Sequence, residues 1–226
     1  DCAVGETVFE VKNLNAGRLV RDISFSVRKG ELVGIAGLMG AGRTETTRAI
    51  FGADQKESGK IFVEGKEVFI RNPKDAIKNG IVLAPEDRKK DGLCIKLPVR
   101  ENISLPNLDG LTGKNLVINS RKENDISQKA IKDMNIKLPH AEVNAETLSG
   151  GNQQKVVVGK WLAGNSKLVM FDEPTRGIDV AAKVEIYHLM NQLKENGIGC
   201  LFVSSELPEV IGVADRIIVM CDGRIT

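Results

Sequence analysis

No stretch of this 226-residue chain approaches the roughly 18 consecutive apolar residues that a membrane-spanning helix needs. An excess of one charge is also missing. Lys and Arg number 32 against 30 Asp and Glu, a formal net charge of +2, whereas an electrostatic nucleic-acid binder carries a heavier basic surplus. Aromatic residues make up only 4%, so stacking on bases or sugar rings is not a theme. Four cysteines stand at Cys2, Cys94, Cys200 and Cys221, with no C-x-x-C pair and no His at metal-ligand spacing. They read as free thiols of a reducing compartment rather than disulfide staples or zinc ligands. The opening Asp-Cys-Ala-Val-Gly-Glu-Thr has neither the pattern of a signal peptide nor an initiator methionine. It is expected to be a cut in the linker of a longer, soluble, cytoplasmic protein.

What is present is an ordinary globular composition, 42% hydrophobic and 27% charged, long enough for one or two domains. Glycine is the outlier: 23 residues, densest between Gly34 and Gly42. Val8 to Leu14 and Leu19 to Val27 alternate apolar and polar side chains, the pattern of half-buried strands. Glu31 to Ala36 is a short apolar run of buried-strand type. A glycine-rich loop and a helix from about Thr44 to Phe51 follow, with Gly52 as the stop. Lys60 to Ile70 reads as a hairpin turning at Glu64-Gly65. Asn72-Pro73 opens a short helix that ends before Gly80, and Ile81 to Ala84 is another buried strand.

From Pro85 to about Ala163 the chain turns polar and helical, with Ser120-x-x-Glu123 expected to act as a capping box. Beyond Lys167 strands and helices alternate: Leu168–Phe171, then Val180–Leu193, then Leu201–Val203 and Ile217–Met220. Ile186, Leu189, Met190 and Leu193 recur at helical spacing. Strands separated by helices predict a parallel sheet covered on both faces, with a helical insertion.

Gly37-Leu38-Met39-Gly40-Ala41-Gly42-Arg43-Thr44 lies between a buried strand and a helix, the context of a phosphate-binding loop. Glycines let backbone N–H groups curl around phosphates, and the helix start adds positive potential. Thr44 is placed to offer a hydroxyl to Mg²⁺. The motif asks for Lys where Arg43 stands, and a planar, bulkier guanidinium is not a neutral replacement at a crowded site. Asp172 and Glu173 close the apolar strand that starts at Leu168. Asp172 is placed to hold Mg²⁺ or its water, and Glu173 to polarise an attacking water. Asp179, ending the tight connection from Pro174, is read either as a helix N-cap or as an intersubunit contact. The segment Leu148-Ser149-Gly150-Gly151-Asn152-Gln153-Gln154-Lys155 offers a second anion-gripping helix start. With one phosphate loop already in the chain, the economical reading is that it presses on a nucleotide held by another subunit or half.

The ordered set of phosphate loop, LSGGNQQK, VMFDEP and GID resembles the nucleotide-binding domain of an ATP-binding cassette (ABC) protein, over essentially the whole chain. Gly80-Ile81-Val82 running into Glu86–Leu93, the NQQK ending and Ser204–Glu209 resemble a narrower group. That group is the C-terminal cassette of fused, two-cassette importers of ribose, galactose and related monosaccharides. The resemblance implies an α/β fold with a P-loop NTPase core, mostly parallel sheet with helices on both faces. It also implies an antiparallel β-subdomain and a helical subdomain over about residues 85–165, all within one cassette spanning 1–226. ATP and Mg²⁺ are the implied cofactors, and ATP-driven sugar translocation at the cytoplasmic face of a bacterial-type membrane is the implied activity. The implied partners are a second cassette, integral permease subunits and, indirectly, a sugar-binding protein, with no nucleic acid. Phosphate-loop residues Gly37, Gly40, Ala41, Gly42, Arg43 and Thr44, with Glu86, would serve this chain's own nucleotide. Ser149, Gly150, Gly151 and Gln153 would act on the partner's.

Four departures from the family pattern point one way. Arg43 replaces the phosphate-loop Lys; Glu86 stands at the usual Gln that senses Mg²⁺ and water; Ser205 aligns with the switch His. The Leu14–Phe25 stretch is short and offers no Tyr or Phe placed to stack on adenine. Together they describe a degenerate site beside an intact signature, so the isolated chain is expected to be weak or inactive. The rival readings are a non-transport ABC ATPase of translation or DNA repair, and a non-hydrolysing regulatory nucleotide sensor. The expected bland roles are surface positions for His140 and His188, packing for Trp161, and either a solvated loop or a membrane-partner contact for Arg88-Lys89-Lys90.

Overall fold

A computed structural model describes residues 5–113, 117–162 and 164–226. Residues 1–4 of the linker-like start, Cys2 among them, and the end of the polar helical stretch at Ala163 lie outside the described residues. The elements follow the sequence patterns closely. β1 (Thr7–Ala16) and β2 (Val20–Arg28) pair antiparallel, and their alternating buried positions include Val11, Leu14, Ile23 and Val27. β4 (Ser58–Val63) and β5 (Lys66–Val68) form the hairpin at Glu64-Gly65 and complete a four-stranded antiparallel sheet in the order β2-β1-β4-β5. A second sheet of six strands has the order β10-β9-β3-β8-β7-β6. Its strands are β3 (Leu32–Gly37), β6 (Ile81–Ala84), β7 (Leu168–Asp172), β8 (Gly199–Val203), β9 (Arg216–Cys221) and β10 (Arg224–Ile225). β3 runs parallel to both β8 and β9, and β7 runs parallel to β8; β10 turns back antiparallel. β7 and β8 are buried at every position, as continuous apolar runs in a parallel sheet require.

The helices are α1 (Arg43–Phe51), α2 (Pro73–Lys78), α3 (Val99–Ser104), α4 (Leu108–Leu111), α5 (Ser120–Asp133), α6 (Gly150–Leu162), α7 (Val180–Glu195) and α8 (Leu207–Val213). Local chemistry sets most of their ends. Gly52 takes the left-handed conformation at the end of α1, and Asn72 caps α2 by accepting from the Asp75 N–H. Asp179 caps α7, its Oδ1 accepting from Ala182 N at 2.9 Å. The expected capping box at Ser120 and Glu123 is not made. Asn119 caps α5 instead, accepting from Lys122 N at 3.1 Å. Glu123 is buried, and its carboxylate is taken by Arg100 and by Ser104 Oγ at 2.8 Å. A buried carboxylate with two strong donors has no reason to reach back to its helix start.

The chain forms two compact units. One comprises residues 1–83, 166–174 and 187–226; the other comprises 84–165 and 175–186. The first holds the core sheet and the loop after β3, the second the helical region and α6. Among the described residues no helix is long and apolar enough to cross a membrane.

Candidate functional site

In the first unit, β3 delivers the chain into the loop at Gly37 and α1 takes it away at Arg43. Ala41 N donates to Leu38 O at 3.0 Å, closing the loop, and Leu38 and Met39 at its tip are 84% and 94% exposed. Gly42 is the pivot. It sits at φ 96°, and a Cβ there would lie 1.9 Å from the Leu19 carbonyl oxygen, so only glycine fits. Gly37 has a similar constraint, 2.5 Å from the Met220 carbonyl oxygen, whereas Gly40, at φ 79°, faces open space. α1 starts without any side-chain cap. Its first N–H groups are therefore offered to an anion, and glycine backbone lines the approach.

Asp172, at the end of β7, is 1% exposed. Thr44 Oγ1 donates to its Oδ1 at 3.1 Å and Thr47 Oγ1 to its Oδ2 at 3.4 Å. Burial pushes its carboxyl up to about 6. The Thr44 hydrogen bond and the Arg43 charge oppose that rise, and Glu173 adds repulsion. A hydroxyl and a buried, under-neutralised carboxylate side by side are the hard oxygen donors that Mg²⁺ takes. The donor set fits the ion.

Arg43 does not reach along the loop as a lysine would. Its side chain is 9% exposed, Nη1 donates to the Ser204 carbonyl, and Nη2 lies 3.4 Å from Glu173 Oε1. Glu173 is itself 11% exposed and adopts a left-handed backbone at φ 46°, its N–H donating to Val203 O. Ser205 Oγ donates to the other carboxylate oxygen, Oε2, at 3.1 Å. Two of the departures, Arg43 and Ser205, thus converge on the Glu173 carboxylate, one at each of its oxygens. Phe25, in the stretch that lacks an adenine-stacking ring, is buried against Phe9 with ring centroids 6.0 Å apart.

In the second unit, Ser149 is exposed at the start of α6, where Asn152 Nδ2 donates to its Oγ at 3.0 Å. The backbone cap is weaker, Asn152 N lying 3.5 Å from the same oxygen. A Cβ at Gly150 would come within 2.7 Å of Arg88 Nη2, and one at Gly151 within 2.8 Å of Ala182 Cβ. The two glycines therefore have a packing reason of their own. Gln153 is buried and engaged at both ends, donating to Ala145 O at 3.0 Å and accepting from Arg88 Nε at 3.3 Å. Glu86 is ion-paired with Arg176.

The family profile described as ABC transporter matches residues 20–176. The chain belongs to the ABC transporter family. It is 50% identical over 224 residues to a ribose import ATP-binding protein of Bacillus subtilis, covering 99% of this chain and 45% of that one. It is 48% identical over 221 residues to a ribose/galactose/methyl galactoside import ATP-binding protein of Agrobacterium fabrum, with 98% and 44% covered. The chain thus spans less than half the length of these curated relatives. Among solved structures it matches the ADP conformation of an ATP-binding cassette of an ABC transporter, with a TM-score of 0.78 at 26% identity. A nucleotide-free cassette gives 0.80 at 25%; each alignment covers 97% of this chain and 89% of the other. The α/β fold of an ABC cassette is thereby shown.

Two features of this ABC cassette were not legible as motifs. Lys155, the last residue of NQQK, is 5% exposed; its Nζ donates to Asn135 O at 2.9 Å and lies 2.8 Å from Glu185 Oε2. The ammonium holds the Glu185 carboxyl below its usual range. Arg88 stands in the sequence as part of a basic run, yet it ties Gln153 to the Arg176 carbonyl, which accepts from its Nη1 at 3.2 Å. Its partners lie 65 and 88 residues away, beyond any local pattern. His140 and His188 are exposed, and Trp161 is buried with the Lys160 ammonium 4.6 Å from its ring centroid.

Proposed function

We propose that this chain is the nucleotide-binding half of an ABC ATPase that couples ATP to monosaccharide import. In this reading it is the C-terminal of two fused cassettes, one domain over 1–226 with a helical subdomain at about 85–165. It works at the cytoplasmic face of the membrane on integral permease subunits, which a sugar-binding protein supplies. Half-length similarity to ribose and galactose import proteins supports the substrate class. The linear order of the four motifs supports the pairing with a second cassette.

The two nucleotide sites divide their labour. The loop from Gly37 through Gly40, Ala41 and Gly42 would hold ATP phosphates with backbone N–H groups, and Thr44 and Asp172 would hold Mg²⁺, which neutralises phosphate charge when bound. Glu173 is the residue positioned to orient water, but Arg43 and Ser205 hold its two oxygens. That contact carries the reading of a site that binds ATP without efficient turnover. Ser149, Gly150 and Gly151 would complete the partner's site, with Gln153 acting through the backbone it braces. ATP binding by the chain, measured beside its ATP turnover, tests the proposal. Binding without turnover supports it; fast, cooperative hydrolysis by the chain alone overturns it.

A further inference from the structure

Glu86 stands where the family carries the glutamine that senses water, and its charge suggests one more defect. Its surroundings suggest a use instead. The carboxylate pairs with Arg176, in the connection that leads to α7. Arg176 is held a second time through its backbone carbonyl, by Arg88 Nη1 at 3.2 Å. The same guanidinium reaches α6 through Nε, 3.3 Å from Gln153 Oε1, and Gln153 passes the restraint to Ala145 O at 3.0 Å. Nη2 lies over the start of α6, where a Cβ on Gly150 would approach it to 2.7 Å. Asp87 caps the turn that carries the arginine, its Oδ1 accepting from Lys89 N at 3.0 Å and Lys90 N at 3.1 Å. These residues all belong to one compact unit, and Glu86, Asp87, Arg88, Lys89, Arg176 and Gly177 line one open pocket of about 320 Å³.

We propose that Glu86 and Arg88 are positioning residues for the signature: through Arg176 and Gln153 they fix the start of α6 in the orientation that meets the partner's nucleotide. The inference rests on the reading that the signature acts in trans, and it goes beyond it by giving Glu86 a task at the partner's site. Arginine suits the post because its planar fork addresses several acceptors in a fixed, spread geometry, which the compact ammonium of lysine does not. The Glu86–Arg176 pair is partly exposed, with side chains 35% and 67% accessible. A pair of that kind adds little to stability, so its effect is expected in geometry. A signature misplaced by about an ångström loses rate rather than ground-state affinity, because the partner's own loop supplies most of the binding.

The test uses the full two-cassette assembly with its permease. Glu86→Gln restores the family's usual residue, and on this inference it lowers kcat for ATP by about tenfold. KM changes by less than about twofold and the melting temperature by less than about 2 °C. Arg88→Lys does the same. Exchanging the charges, Glu86→Arg with Arg176→Glu, recovers most of the rate, which a direct effect of the residue-86 charge on phosphate would not do, and the unchanged melting temperature sets the loss apart from a structural one. A Glu86→Gln assembly that turns over as fast as wild type, or faster, overturns the inference, since it is the result expected if Glu86 only repels phosphate. Ser149→Arg in the same assembly separates the two levels. If it leaves turnover intact, the trans reading itself falls; if it abolishes turnover while Glu86→Gln is silent, only the positioning role falls.

Discussion

Arg43 Nη2 and Glu173 Oε1 are 3.4 Å apart, with side chains only 9% and 11% exposed. Arg43, at the start of α1, is therefore the counter-ion of the Glu173 carboxylate, which follows β7. Removing one member of such a pair strands the other charge in a poorly solvated place. Arg43→Met is expected to destabilise the chain by about 3 kcal/mol, and Arg43→Met with Glu173→Gln to recover most of that loss. Urea midpoints of the two variants check it. Equal losses in both would mean that the pair is not what holds Arg43 in place. Arg43→Lys is not expected to restore turnover, because Ser205 still holds the other Glu173 oxygen.

The loop glycines are not equivalent. At Gly42 a Cβ meets the Leu19 carbonyl oxygen at 1.9 Å, and backbone cannot move aside cheaply. At Gly40 the space is open and only the positive φ of 79° opposes a side chain. Gly40→Ala should cost about 1 kcal/mol, and Gly42→Ala about 3 kcal/mol or more. Chemical denaturation of the two single variants orders them.

Lys160 supplies a pH dependence. Burial pushes its ammonium down from 10.5 to about 8, although Nζ donates to the Gly92 carbonyl. The folded value lies below the unfolded one, so between them the unfolded chain binds more protons. Stability therefore rises with pH across the window from about 8 to 10.5. Lys160→Met removes that rise. The wild type should gain on the variant by up to about 3 kcal/mol between the ends of the window, read as the difference of their urea midpoints at each pH. A constant difference across the window contradicts the assignment.

Periodicity and turn chemistry exposed most of the fold, because strands such as β7 and caps such as Asn72, Gly52 and Asp179 act within a few residues. The order of motifs exposed the family. The missed features are all long-range. Glu123 fits a capping box locally but is taken by Arg100, 23 residues away. Arg43 is legible as a substitution, yet its binding to the Ser204 carbonyl spans 161 residues. No local pattern tells that a guanidinium will turn into the protein and engage the Glu173 carboxylate. The same holds for Glu86, which looks like a loss at one site until Arg176 is found beside it.

If this cassette lends its signature while its own carboxylate stands idle, Ser149 and Glu173 should differ sharply in steady-state ATP turnover of the full assembly. Ser149→Arg is expected to lower turnover by about a hundredfold or more, since it would place a bulky charge against the partner's phosphate, while Glu173→Gln lowers it by less than about twofold. A loss from Glu173→Gln as large as that from Ser149→Arg would contradict that division of labour.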